Sequence, residues 1–212
     1  MTHSLHRRGS SESLKNDYVL LVTPAVGVND INSAPKLCAI LDIIAEIPPD
    51  NIGSYETGTS ITGVTIEDIK KSMSKTPRIR CCYDSKEKIL AVLKRINDLD
   101  AGLSVVVSGL NDEILEMAKI LDIKPHSVNY SLGVFGKTEL LPDEEILEIS
   151  SMCGHDMISK DLVLKMIKLI QSGDRTAEEA AREIATPCVC GIFNIHRATD
   201  LLTKYEGPNS NT

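Results

Sequence analysis

The feature that most constrains the fold is a pair of predicted helices with cysteines at its outer ends. Apolar residues recur at helical spacing after Ser159, and Ser172-Gly173 ends this first helix. Thr176, with a glutamate three residues later, forms a capping-box pattern for a second helix that ends before Pro187. A turn this short makes the helices antiparallel neighbours. The residues before the first helix and after the second are therefore expected to lie close together.

The two loops at these ends hold three of the six cysteines and one of the five histidines. Cys153 and His155 precede the helix pair, and Cys188 and Cys190 follow it. Residues two apart in an extended loop face the same way, so Cys188 and Cys190 can reach one centre. Cys190 also precedes a predicted helix, whose dipole favours the thiolate form. The sequence therefore predicts a thiolate site with four metal ligands: Cys153, His155, Cys188 and Cys190.

Several kinds of chemistry fit such a site. We expect an iron–sulfur cluster, such as a 4Fe–4S cluster, held by the three cysteines, with His155 or a remote cysteine as fourth ligand or with that position open for substrate. A structural zinc site using the same four residues is the alternative, although neither loop has the usual spacing of a zinc knuckle. A dithiol that cycles through a disulfide, with Cys153 as resolving partner, stays open. So does the reading of all three cysteines as small buried residues.

Upstream of the helix pair, short apolar runs alternate with helical patterns. Strands are predicted at Tyr18–Thr23, Arg78–Tyr83, Leu103–Val107 and Pro125–Leu132. This alternation predicts an α/β domain over residues 17–138, with a mostly parallel sheet and flanking helices. A small helical, cysteine-containing module follows over residues 139–205. Residues 1–16 are predicted to be a flexible tail, and residues 206–212 a second tail.

Three further stretches could bind an anion. Ser108-Gly109 lies between a predicted strand and a predicted helix, where α/β proteins often bind anions, and both residues are predicted to contact a cofactor or substrate. Gly53–Gly63 is rich in glycine and hydroxyl groups, so it is either an anion cradle or a plain surface loop. The N-terminal segment is either a mobile tail or a cationic flap over an anionic ligand. Its candidate residues are His3, His6, Arg7 and Arg8.

Composition narrows the class of protein. The net charge of −7 argues against a surface for nucleic acid or anionic membranes. The sequence has no run of about 18 apolar residues, so no membrane span is predicted. The first residues are polar and basic, which is not the pattern of a secretory signal. We therefore expect a cytoplasmic protein with reduced thiols. In that compartment, cysteines serve metal binding or catalysis more often than a disulfide framework.

Several stretches resemble a known family. Gly136–Pro142, Met152–His155 and Cys188–Asn194 are similar to segments of a protein family of strict anaerobes, including methane-forming archaea, and His3–Gly9 looks similar as well. The resemblance covers nearly the whole chain. It implies an anaerobic setting, which suits an oxygen-sensitive cluster, and it transfers no catalytic role to any residue.

Together these observations predict a cytoplasmic iron–sulfur protein with a redox or cluster-dependent role. Its site would face the sheet edge at which Ser108-Gly109 and Gly53–Gly63 could hold a small anionic substrate. The alternative is a zinc-bound or metal-free accessory protein, for example one that serves metalloenzyme maturation through an acidic partner surface. Whether the protein is an enzyme, and its oligomeric state, stay open.

Overall fold

The computed structural model of the protein describes residues 2–207, with side chains from Ser4 onward. Its sheet has the strand order β3-β2-β4-β1-β5. The strands are β1 (Tyr18–Thr23), β2 (Asn51–Ser54), β3 (Gly58–Thr59), β4 (Ile79–Tyr83) and β5 (Ser104–Ser108). Each hydrogen-bonded pair in this order is antiparallel. The α/β class is thus confirmed, but the prediction of a mostly parallel sheet is wrong.

The error concerns which strands are neighbours. Helix α2 (Ser33–Glu46) connects β1 to β2, and α4 (Lys86–Leu99) connects β4 to β5. Each connection joins two strands that run in the same direction, but each leaves a gap one strand wide. The gap is filled by a strand of opposite direction, β4 in one case and β1 in the other. With β3 set aside, this is the split βαβ order of ferredoxin-like folds.

The first of two buried cores lies between the sheet and the helices that follow its strands. Leu20 and Val22 of β1 and Cys81 of β4 point into it. The helices on this side are α2, α3 (Ile66–Ser72), α4 and α5 (Asn111–Ile120). The predicted strand at Leu103–Val107 is found as β5, but at the edge of the sheet, where Val105 is exposed.

The second core lies on the opposite face of the sheet. Val19 and Cys82 point into it, because neighbouring strand residues face opposite ways. The helices of the predicted module cover this face: α6 (Glu144–Ser150), α7 (Lys160–Gln171), α8 (Ala177–Ala185) and α9 (Ile195–Thr203). Ser159 and Thr176 cap α7 and α8 by accepting bonds from main-chain N–H groups three residues on. The sheet is therefore the middle of three layers.

The N-terminal segment, predicted as a flexible tail, is packed between the sheet and the helical module. It contains a short 3-10 helix at Thr2–His6 and α1 (Ser11–Leu14). The Ser4 hydroxyl lies 2.7 Å from that of Ser108. The buried Asp17 carboxylate, next along the chain, pairs with Arg7 and, at 3.0 Å, with Arg197 of α9. These buried contacts correct the tail prediction for this segment. At the other end, residues 208–212 of the second predicted tail lie outside the described residues.

One long connection has no regular structure over most of its length. Residues 123–137 form neither helix nor strand, so the strand predicted at Pro125–Leu132 is not found. All residues from 122 to 141 are exposed. We call residues 122–141 the arm. Within the described part of the chain, no helix combines the length and apolar character needed to cross a membrane.

Candidate functional site

Cys153 is held in a turn between α6 and α7. Its main-chain N–H donates to the Ser150 carbonyl at 3.1 Å, and its own carbonyl accepts from the Asp156 N–H at 3.0 Å. Met152 beside it is fully buried. Local hydrogen bonds and one apolar anchor therefore turn the Cys153 side chain inward, leaving it 2 % exposed.

Cys188 and Cys190 lie in the turn that follows α8. The Cys188 N–H donates to the Ala185 carbonyl at 2.9 Å, and the Gly191 N–H donates to the Cys188 carbonyl at 3.1 Å. Gly191 has a φ of +71°, and a Cβ at this position would lie 2.2 Å from the main-chain nitrogen of Gly53. Only glycine fits this approach. The second cysteine turn is thus pressed directly onto β2.

The structure brings the four predicted ligands together. The Cys188 and Cys190 sulfurs are 4.0 Å apart, and the Cys190 sulfur is 3.7 Å from His155 Nδ1. Cys153 lies in the same buried core as these two sulfurs, and the thiols of Cys153 and Cys188 shift each other's pKa. Cys188 and Cys190 are fully buried. The predicted convergence of the two loops is therefore what the fold produces.

The three thiols of this site differ in acidity, and Cys190 is the most acidic. The Cys188 thiol hydrogen-bonds the Cys190 sulfur and lowers the Cys190 pKa, against an opposing effect of burial. Cys188 itself is stabilised as thiolate by Cys153, but the bond to Cys190 and burial outweigh this and raise its pKa to about 11. The neighbouring thiol of Cys188, followed by burial, raises the pKa of Cys153. Of the three thiols, Cys190 is thus the one whose pKa lies below its ordinary value.

Two residues that sequence reasoning did not assign to the site complete it. The Tyr55 hydroxyl lies 2.8 Å from His155 Nε2. The Arg80 guanidinium lies 4.6 Å from the centre of the Tyr55 ring, and its charge also favours the Cys190 thiolate. Arg80 is 6 % exposed, and its buried Nη1 atom has no hydrogen-bond partner among the described residues. An arginine inside the predicted strand at Arg78–Tyr83 was the signal that could have identified it.

Arg7 connects the N-terminal segment to both cysteine turns. Its guanidinium donates to the Met152 carbonyl at 3.2 Å and to the Ile192 carbonyl, and it pairs with Asp17. Arg7 was predicted to cover an anion as part of a cationic flap. In the structure it instead binds the main-chain oxygens of Met152 and Ile192, close in sequence to Cys153 and Cys190. The side chain of His3 lies outside the described residues.

The other predicted anion sites lie apart from one another. Ser108-Gly109 ends β5, whereas the Cys188–Gly191 turn packs on β2, on the other side of β4 and β1. Gly53–Gly63 contains β3 and contributes Tyr55 to the cysteine site. Of the two loops expected to hold a substrate, the structure therefore brings only the second to the thiols.

The remaining cysteines lie outside the cluster. Cys82 faces the same core and donates to the Phe193 carbonyl at 3.5 Å, whereas Cys81 faces the opposite core. Cys38 is half-buried on α2.

Among the residues that the structure describes, no group of three or more His, Cys, Asp or Glu side chains is placed so that it could hold a metal ion.

Comparison of the chain with known protein families, with curated proteins and with solved structures finds no match.

Proposed function

We propose that this protein binds a metal through Cys153, Cys188 and Cys190, with His155 as fourth ligand. The observation that supports the proposal is the convergence of three buried thiols and an imidazole from two turns distant in sequence. Buried polar groups are costly, and a fold keeps such a cluster more readily when its members act on a common partner. Thiolate and imidazole are ligands suited to zinc and iron.

Two separations among the proposed ligand atoms are close to those that a single tetrahedral ion requires. With zinc–sulfur bonds of about 2.3 Å and zinc–nitrogen bonds of about 2.0–2.1 Å, tetrahedral geometry places neighbouring sulfurs about 3.8 Å apart and sulfur and nitrogen about 3.6 Å apart. The corresponding separations here are 4.0 Å and 3.7 Å. As they stand, the four side chains do not surround a common point, so binding requires loss of the thiol protons and side-chain rotation toward the ion.

The iron–sulfur cluster stays a prediction of the sequence. Sulfurs that bind different iron atoms of a cluster are farther apart than two sulfurs on one ion, so a cluster would require the Cys188–Cys190 turn to open. The resemblance to a family of strict anaerobes supports a reducing, oxygen-free setting for either kind of centre. In such a setting, which we take to be the cytoplasm, the thiols stay available as ligands.

The role that this geometry supports best is a metal-thiolate centre that fastens the helical module to the sheet. Its ligands come from the turns on either side of α7 and α8, and Gly191 places one turn on β2. We propose an accessory or binding protein stabilised by this centre. A redox or cluster-dependent enzyme is the second candidate, because the exposed His155 and Tyr55 form an outer side of the site through which a substrate could approach.

Purification without oxygen, followed by metal and sulfide analysis, tests the proposal. We expect one zinc or iron per chain and no sulfide. Loading with Co²⁺ should give thiolate-to-cobalt charge-transfer absorption and the intense visible bands of a tetrahedral ion. A brown protein with stoichiometric iron and sulfide would show that the site holds an iron–sulfur cluster and not a single ion.

Cysteine variants assign the ligands. Cys188→Ala and Cys190→Ala should each lose the metal, whereas Cys38→Ala should keep it. Cys81→Ala is the matched control, because Cys81 is as deeply buried but faces the other core. Equal metal content in all four variants would reject the proposal. So would a wild type without metal both after oxygen-free purification and after loading with Co²⁺.

A further inference from the structure

The arm exposes more apolar surface than a solvated loop of a monomer ordinarily does. Leu132 is 86 % exposed and Phe135 is 79 % exposed, and Val128, Tyr130 and Val134 are exposed as well. Loops of this length without regular structure are uncommon in compact domains and usually have a function. Contiguous exposed apolar residues mark interaction surfaces.

The apolar residues of the arm follow the period of a β-strand. Val128, Tyr130, Leu132 and Val134 alternate with polar or small residues, and the sequence itself predicts a strand at Pro125–Leu132. A strand requires a neighbour for its main-chain hydrogen bonds. Within the described part of the chain, the arm pairs with no strand. Its sequence is thus that of a strand for which the described part of the chain supplies no partner strand.

The same molecule offers an open sheet edge. Among the described residues, β5 is the last strand in the order and pairs on one side only, with β1. Val105 on this edge is exposed, and Val26 and Val28 are exposed in the loop that Asn29 ties to the Gly102 carbonyl at 2.7 Å. An edge strand with apolar side chains is a template for pairing with another chain.

We propose that the arm of one copy adds to the β5 edge of a second copy, and that the reciprocal pairing closes a symmetric dimer. Each copy carries both halves of the contact, as a twofold interface requires. The structure therefore assigns the arm and β5 to a self-association surface. This inference is independent of the proposed metal centre.

Charge and size both favour a second copy as the partner. The chain has a net charge of −7, yet the arm carries two acidic residues (Asp122 and Glu139) and two lysines (Lys124 and Lys137), and β5 carries no charged residue. Two acidic molecules can therefore meet here without local repulsion. The twenty residues of the arm and the five of β5 give 25 per copy. A standard interface uses about 20–30 residues a side and buries about 800 Å² on each partner.

Light scattering coupled to size-exclusion chromatography tests the proposal on the full chain. The wild type should have the mass of a dimer. The arm variant Leu132→Asp and the edge variant Val105→Lys should each have the mass of a monomer. Leu164→Asp, which places a charge on an exposed leucine of α7, is the matched control and should stay dimeric.

Mixing the two monomeric variants tests which surfaces meet. The arm variant keeps its edge and the edge variant keeps its arm, so the mixture should form a 1:1 heterodimer with one junction. A monomeric wild type, or dimeric arm and edge variants, would overturn the proposal. A mixture that does not associate would overturn the pairing of arm with edge. Circular dichroism checks folding, and if Leu132→Asp is unfolded, a chain with residues 128–135 replaced by glycine and serine takes its place.

Discussion

Gly191 is the glycine at which one added carbon should most disturb the cysteine site. An alanine Cβ there would lie 2.2 Å from both the Gly53 nitrogen and the Ile52 carbonyl carbon. These are main-chain atoms of β2, which cannot move aside as a side chain can. In Gly191→Ala, either β2 or the Cys188–Gly191 turn must therefore shift.

Two separate penalties add in this variant. A non-glycine residue at a φ of +71° costs about 1–2 kcal/mol. Forcing an extra carbon into close-packed surroundings costs about 1–3 kcal/mol more. We therefore expect Gly191→Ala to lower the free energy of unfolding by about 2–5 kcal/mol.

Gly173→Ala is the matched control. Gly173 has a φ of +79°, and a Cβ there would meet nothing within 4 Å. This variant should show the backbone penalty alone, about 1–2 kcal/mol. The effect of alanine on the unfolded chain is common to both variants and cancels in the comparison.

Urea unfolding measures the difference. At a slope of about 2 kcal/mol/M, an extra 2 kcal/mol or so moves the midpoint by about 1 M. Equal midpoints for the two variants at equal slope would refute the argument that the cysteine turn is held by a close approach to β2. Loss of metal in Gly191→Ala, but not in Gly173→Ala, would link that approach to the site.

Three further predictions follow from named contacts. Asp17→Asn leaves two buried arginines without their carboxylate and should cost about 3–5 kcal/mol in urea unfolding; a smaller loss than in a surface control would contradict this. The hydrogen bond from the Thr65 hydroxyl, followed by the one from Lys71, lowers the pKa of Asp68 to about 2. This folded-state pKa lies below the unfolded value of 3.8. The Asp68 carboxylate therefore stabilises the folded protein fully above pH 3.8, and this stabilisation is lost as the pH falls toward 2. Thr65→Ala should move the NMR-titrated pKa of Asp68 up toward its ordinary value, and an unchanged pKa would exclude the cap as the cause. Arg80→Met removes the cation beside Cys190 and should weaken metal binding about tenfold or more in a chelator competition, whereas Arg80→Lys should keep part of the affinity.

Local signals were sufficient to predict much of the helical module. The caps at Ser159 and Thr176, the stop at Ser172-Gly173 and the apolar spacing between them define α7 and α8. These interactions are made within a few residues, so their sequence pattern is specific. They also explain why the convergence of the cysteine turns could be predicted before any tertiary contact was known.

The sheet could not be predicted in the same way. Alternation of strands and helices indicates two crossovers, but each is as compatible with adjacent strands as with strands separated by one gap. The choice depends on contacts between residues far apart, such as the pairing of Leu20 with Cys81 and with Val107. The same limit concealed Arg80 and Tyr55, which reach the site only because β4 and β2 are neighbours.

By itself, the sequence determined the helices, their caps and the meeting of Cys153 with Cys188 and Cys190, because short-range hydrogen bonds and a short turn decide them. Only the tertiary structure decided the antiparallel order of the strands, the burial of Arg7 and Asp17, and the position of Ser108 away from the thiols. Those features depend on which surfaces, far apart in the sequence, pack against each other and exclude water. A helical or strand-like pattern reports that a surface is apolar, but not which other surface covers it.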